Sequence, residues 1–142
     1  MAGDCEVPHS NASHAQIAEM LRTAKIIAVV GLSPKPDRPS HSVSAYMKDQ
    51  GYTIIPVNPG HDEILGEKAY KSLLDVPGPI DIVNIFRDPS AVPEIVDQAI
   101  AKKAKAIWMQ EGIVHNEAAE KARAARMVVV MNRCIYKEHA RL

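Results

Sequence analysis

The chain has 142 residues, 46% of them hydrophobic and 24% charged, the length and balance of one soluble domain with a sizeable core. Seventeen basic and seventeen acidic residues cancel, which argues against a general nucleic-acid or anionic-membrane binder, although a local basic pocket remains open. No apolar stretch reaches the roughly 18 residues of a membrane span, and the start, MAGDCEVPHSNASH, has no apolar core of a signal peptide. The expected compartment is the cytoplasm, where thiols stay reduced, and Cys5 and Cys134 are not paired by the sequence. The six histidines are scattered and no CxxC occurs, so no metal site is expected.

Residues 1–13 are polar and aperiodic and read as a mobile tail, leaving 14–142 as a single domain. Ile17, Met20, Leu21 and Ala24 then recur at helical spacing over 13–24. Five short runs follow, at 25–31, 53–58, 81–86, 105–109 and 127–131, most of them rich in Ile and Val without strict alternation. Continuous apolar runs of this length fit strands buried on both faces, as in a parallel sheet. Helical patterns separate them. Residues 41–50 carry Val43, Tyr46 and Met47 and stop at Gly51. Residues 88–102 carry Val92, Ile95, Val96, Ala99 and Ile100, with prolines near the start. Asn116 stands where it would cap a helix over 117–124. The stretch 59–79, broken by Gly60, Gly66, Pro77 and Gly78, reads as a short helix or a covering loop. The alternation predicts an α/β fold: a Rossmann-like open parallel sheet of about five strands with helices on both faces.

In such sheets ligands bind beyond the C-terminal ends of the strands, at the switch point. The first such end is the most informative. In KIIAVVGLSPKPDRPSHS a strand runs into Gly31, a loop follows, and a helix starts at 40–42. Unpaired N–H groups and the helix dipole make such a start attractive to phosphate. Gly31 lets backbone approach a ligand closely, and Ser33 offers a hydroxyl and an N–H beside Pro34. Arg38, Ser40, His41 and Ser42 surround the helix start, while Lys35 reads as solvated. Asn58 and Pro59 end the second strand, where a redox dinucleotide site carries an acid for the ribose. That acid is absent, as is GxGxxG, and both absences count against NAD. Phe86 has two readings, a platform for an adenine or a core residue, and Arg87 either meets phosphate or solvent. Gln110, Glu111 and Gly112 follow the fourth run and read as polar lining, while Trp108 within it reads as core. Cys134 reads as buried and inert, with a reactive thiol as the rival reading. No catalytic residue set can be built from these positions.

Six segments in order resemble the CoA-binding protein family: IAVVGLSPKPDRPSHSV, GYTIIPVNPG, LGEKAYKSLLDVP, DIVNIFRDP, AIWMQEGI and MNRCIYKEHARL. The same domain forms the CoA-binding part of the succinyl-CoA synthetase alpha subunit. The resemblance spans 17–142 and implies coenzyme A as ligand. It implies that Gly31, Ser33, Pro34, Arg38, Ser40 and Ser42 meet the CoA phosphates. Asn58 and Pro59 would line the nucleotide end, and Phe86 and Arg87 the adenine and ribose. Gln110, Glu111 and Gly112 would lie toward the pantetheine arm. The synthetase subunit has a further domain with a phosphorylated histidine in a Gly-rich loop. His139 stands in no such loop, so binding of CoA or an acyl-CoA without catalysis is the expectation. The rivals are an enzyme acting on a CoA thioester or CoA disulfide through Cys134 or Glu111, and an NAD(P) or nucleotide-binding redox sensor. Self-association through an exposed helix would make a homodimer.

Overall fold

The computed structural model describes residues 6–142. Helix α1 (His14–Thr23) opens with a reciprocal cap, in which the Ser13 hydroxyl accepts the Gln16 N–H and the Gln16 amide oxygen accepts the Ser13 N–H. It buries Ile17 and Leu21. Strand β1 (Ile26–Val30), helix α2 (Pro39–Asp49) and strand β2 (Thr53–Val57) follow. A small antiparallel hairpin, β3 (Glu63–Ile64) and β4 (Glu67–Lys68), and a single 3₁₀ turn at Leu73–Asp75 lead to β5 (Ile82–Ile85). Helix α3 (Val92–Ala101), β6 (Ala106–Met109), α4 (Asn116–Ala124), β7 (Val128–Val130) and α5 (Ile135–Ala140) complete the chain.

The five main strands form one parallel sheet in the order β2-β1-β5-β6-β7. The chain builds outward from β1 in one direction and from β5 in the other, so the switch point lies between β1 and β5. Alternate residues of each strand feed two cores. Ile27, Val29, Ile82 and Trp108 pack with α1, α2 and α5 through Leu21, Met47 and Ile135. Ala28, Val30, Val83, Ile85 and Ile107 pack with α3 and α4 through Val92, Val96, Ala119 and Ala122. Each large aliphatic side chain so buried stabilises the fold by roughly 1.5–3 kcal/mol.

Several boundaries differ from the sequence reading. Helix α2 starts at Pro39, earlier than 40–42, because proline is preset for the first helical turn. The α3 segment begins with a 3₁₀ turn at Pro89–Ala91 before the helix proper. Helix α4 is capped by the His115 ring, whose Nδ1 accepts the Ala118 N–H at 3.1 Å, while Asn116 lies inside the helix. Asn116 is occupied elsewhere. Its amide donates to the Glu6 carboxylate and the Val7 carbonyl, and its Oδ1 accepts the His9 N–H at 2.8 Å. Residues 6–13, expected as mobile tail, are thus held along α4 and β7; residues 1–5, with Cys5, lie outside the described residues. Asn11 continues the hold, accepting the Met131 N–H and donating to the Met131 carbonyl, both at 2.9 Å. The Ala12 N–H reaches the Val129 carbonyl at 3.2 Å. At the opposite side of the sheet, the Tyr70 N–H donates to the Pro56 carbonyl and its carbonyl accepts the Asn58 N–H. No helix of the described residues is long and apolar enough to cross a membrane.

Candidate functional site

The site grows from the end of β1. Gly31 has φ +91°, a conformation L side chains rarely adopt, and its N–H donates to the Val57 carbonyl at 3.0 Å. A Cβ at this position would stand 2.5 Å from the Phe86 carbonyl oxygen. The β1 and β5 ends therefore touch through a glycine, and only a glycine permits that approach. The loop beyond is stitched down at both sides. The Ser33 N–H donates to the Ser40 hydroxyl at 2.9 Å, fastening the loop to the start of α2. The Ser33 hydroxyl accepts the Lys35 N–H at 3.1 Å. The Asn58 amide donates to the Leu32 carbonyl at 3.0 Å, fastening the same loop to the end of β2. Arg38 is the N-cap residue of α2 and its side chain makes no cap bond, which leaves the helix start facing the cleft.

This first cleft has a volume of about 500 Å³ and is lined by Gly31, Ser33, Pro34, Lys35, Arg38, Pro39, Ser40, Asn58, His61 and Phe86. Two cations and a histidine line it and no carboxylate does. The α2 dipole adds to the positive charge of this lining. A second hollow of about 370 Å³ continues from it, sharing Pro39 and Phe86 as a common wall. Val43, Arg87, Gln110, Glu111, Ile113 and Cys134 complete its lining. Here the Glu111 carboxylate accepts from the Lys137 ammonium at 3.0 Å, and that bond raises the Lys137 pKa above the usual lysine value. Gln110 is only 4% exposed, and its Oε1 faces the Ile135 N–H at 3.4 Å. Its Nε2 has no hydrogen-bond partner.

Gly31, Ser33, Pro34, Arg38, Ser40 and Asn58 thus come together in the first cleft, and Arg87, Gln110 and Glu111 in the second, with Phe86 at the junction. Ser42, Pro59 and Gly112 line neither. The Ser42 hydroxyl turns back to the Pro39 carbonyl at 3.3 Å, because it already sits inside the first turn of α2. Gly112 donates its N–H to Asn132 Oδ1 at 2.7 Å and ties the β6 loop to the β7 loop. Lys35, expected as solvated, lines the first cleft, and Cys134, expected as inert core, lines the second. His61 carries no local sequence signal; it reaches the cleft because Tyr70 pins the hairpin segment against β2. A more apolar hollow of about 480 Å³ lies at the other edge of the sheet, between α1 and the starts of β6 and β7. It lacks a free helix N-terminus, and its Lys105 is paired with Asp81 at 3.3 Å.

A parallel sheet in this order, with a cation-lined groove across its switch point, defines a Rossmann-like α/β domain. The chain belongs to the CoA binding domain family, whose model matches residues 25–140. It is 48% identical over 130 residues to the protein YneT of Bacillus subtilis, covering 92% of this chain and 96% of that one. A solved structure, the hypothetical protein from Pyrococcus horikoshii OT3, superposes with a TM-score of 0.91 at 42% identity, covering 96% of each chain. The ADP-forming acetate–CoA ligase of Methanocaldococcus jannaschii is 35% identical over 81 residues, which is 57% of this chain and 12% of the ligase. The chain therefore corresponds to a small part of that enzyme.

Proposed function

We propose that the protein binds coenzyme A, free or acylated, in the two-part groove and performs no ligation of its own. The observation that carries this reading is the acid-free first cleft at the N-terminus of α2, opening directly into a second hollow. A phosphate-rich nucleotide end suits the first: Ser33, Arg38, Lys35 and the α2 start supply donors and positive charge. A long uncharged arm suits the second, where Pro39, Val43, Phe86 and Ile113 give apolar wall and Gln110 an unmatched amide donor. Each hollow falls within the usual size of a ligand pocket. The family match supports CoA as the ligand, and Asn58 at the end of β2 supplies no ribose-binding acid for NAD.

Calorimetry of refolded, ligand-free protein against CoA, with NADH and ADP as controls, tests the reading. Micromolar CoA binding that weakens in Arg38→Ala is the expected result. Silence toward CoA with a signal from NADH or ADP would overturn it.

A further inference from the structure

The second hollow closes on a thiol. Cys134 lies between β7 and α5, is 8% exposed, forms no disulfide and makes no side-chain cap to α5. Gln110 lines the same hollow, is more than nine-tenths buried, and keeps an unpartnered Nε2. A buried amide donor without an acceptor is costly, so this one is left for an acceptor the chain does not supply. A free thiol and an unpartnered amide thus line one partly apolar chamber, at the far end of the groove from the cation-lined cleft.

If CoA lies in the groove as proposed above, its pantetheine arm brings amide carbonyls and then sulfur into this chamber. We infer that Cys134 is a thiol–disulfide exchange site for disulfide forms of that ligand. In the step, the Cys134 thiolate attacks the CoA-side sulfur of a CoA mixed disulfide. The ligand S–S bond breaks, a Cys134–S–S–CoA bond forms, and the departing thiolate takes up the proton Cys134 released. Cys134 is oxidised as the departing thiol is reduced, so no other oxidant is consumed. The reverse reaction with a free thiol regenerates Cys134. Burial shields the sulfur from disulfides in bulk water, and the groove delivers the one it holds.

The test incubates a Cys5→Ser background with the mixed disulfide of CoA and glutathione, using glutathione disulfide as control. Intact mass and peptide mapping follow the adduct. The inference expects one CoA moiety on Cys134, reversible by dithiothreitol and formed at least about tenfold faster than the glutathione adduct. It also expects Arg38→Ala, remote from the sulfur, to slow capture of the CoA disulfide only. Equal rates for both disulfides with no effect of Arg38→Ala would overturn it. Calorimetry of Cys134→Ser against CoA separates the two claims. Binding there, with no adduct on the Cys134-bearing protein, leaves CoA binding standing and removes the exchange site. Loss of CoA binding in both proteins removes both.

Discussion

Gly31→Ala puts a single methyl group into the contact on which the groove depends. Two costs combine. At φ +91° an L residue is strained by about 1–2 kcal/mol. The new Cβ also meets the Phe86 carbonyl oxygen at 2.5 Å, the Arg87 Cδ at 3.0 Å and the Phe86 carbonyl carbon at 3.1 Å. The Arg87 side chain can swing away, but the Phe86 backbone is held, since its N–H donates to the Val30 carbonyl at 2.9 Å beside the central strand β5. Relieving such an overlap costs about 1–3 kcal/mol. The sum, about 2–5 kcal/mol, leaves a domain of ordinary stability folded, and should lower the melting temperature by about 4–20 °C. Urea unfolding followed by the single, fully buried Trp108 reads the change directly. CoA affinity should fall as well, because Phe86 is the wall shared by both clefts. A variant within about 0.5 kcal/mol of the parent, with unchanged affinity, would refute the close approach as the organising contact.

Arg38→Ala should weaken CoA binding by about tenfold to a hundredfold, the worth of one charge-assisted phosphate contact, with a shallower salt dependence in calorimetric titrations. Asn116→Ala removes the donor and acceptor that hold Glu6, Val7 and His9, and should cost about 1–3 kcal/mol in denaturant melts and expose residues 6–12 to limited proteolysis. Unchanged protease resistance would show that this segment is held by something else. Asp81 is pushed upward in pKa by burial, but the Lys25 and Ile26 N–H groups at 2.8 and 2.9 Å and Lys105 outweigh it, and the carboxyl ends below its ordinary value. Its contribution is therefore full above the ordinary aspartate range and is lost as pH falls through the lowered folded value. Asp81→Asn should be about 1–3 kcal/mol less stable at pH 7, with the gap to the parent narrowing below about pH 4; a gap constant with pH would contradict the assignment.

The five strands were legible because each is a short, mostly apolar run, most of them rich in Ile and Val, and burial on both faces of a parallel sheet favours that composition. The strand ends followed from the fold rule. The hairpin was hidden because its turn places Leu65 at φ 57° ahead of Gly66 at φ 74°, and leucine gives no turn signal. Helix α5 spans only six residues, too few for helical periodicity to show. The cap of α4 was misplaced because Asn116 is claimed by Glu6, more than a hundred residues away in the chain. His61 belongs to the groove only through tertiary packing.

The hydrogen bonds at the two sides of the sheet have a consequence for how copies of this chain meet. Parallel sheets end in strands whose free N–H and C=O groups invite pairing with a neighbour. Here β2 carries Pro56, which has no N–H to offer, and Tyr70 takes its carbonyl; at β7, Asn11 and Ala12 occupy Met131 and Val129. Both margins are thus sheathed by the chain's own irregular segments, which disfavours continuing the sheet into a second molecule and leaves helix faces as the route for association. The sheath over β7 is the longer one: Asn116 anchors its start at Glu6, Val7 and His9, and Asn11 and Ala12 bond the strand edge directly. Loosening it should bare that edge for pairing with a second copy, well before the core itself gives way.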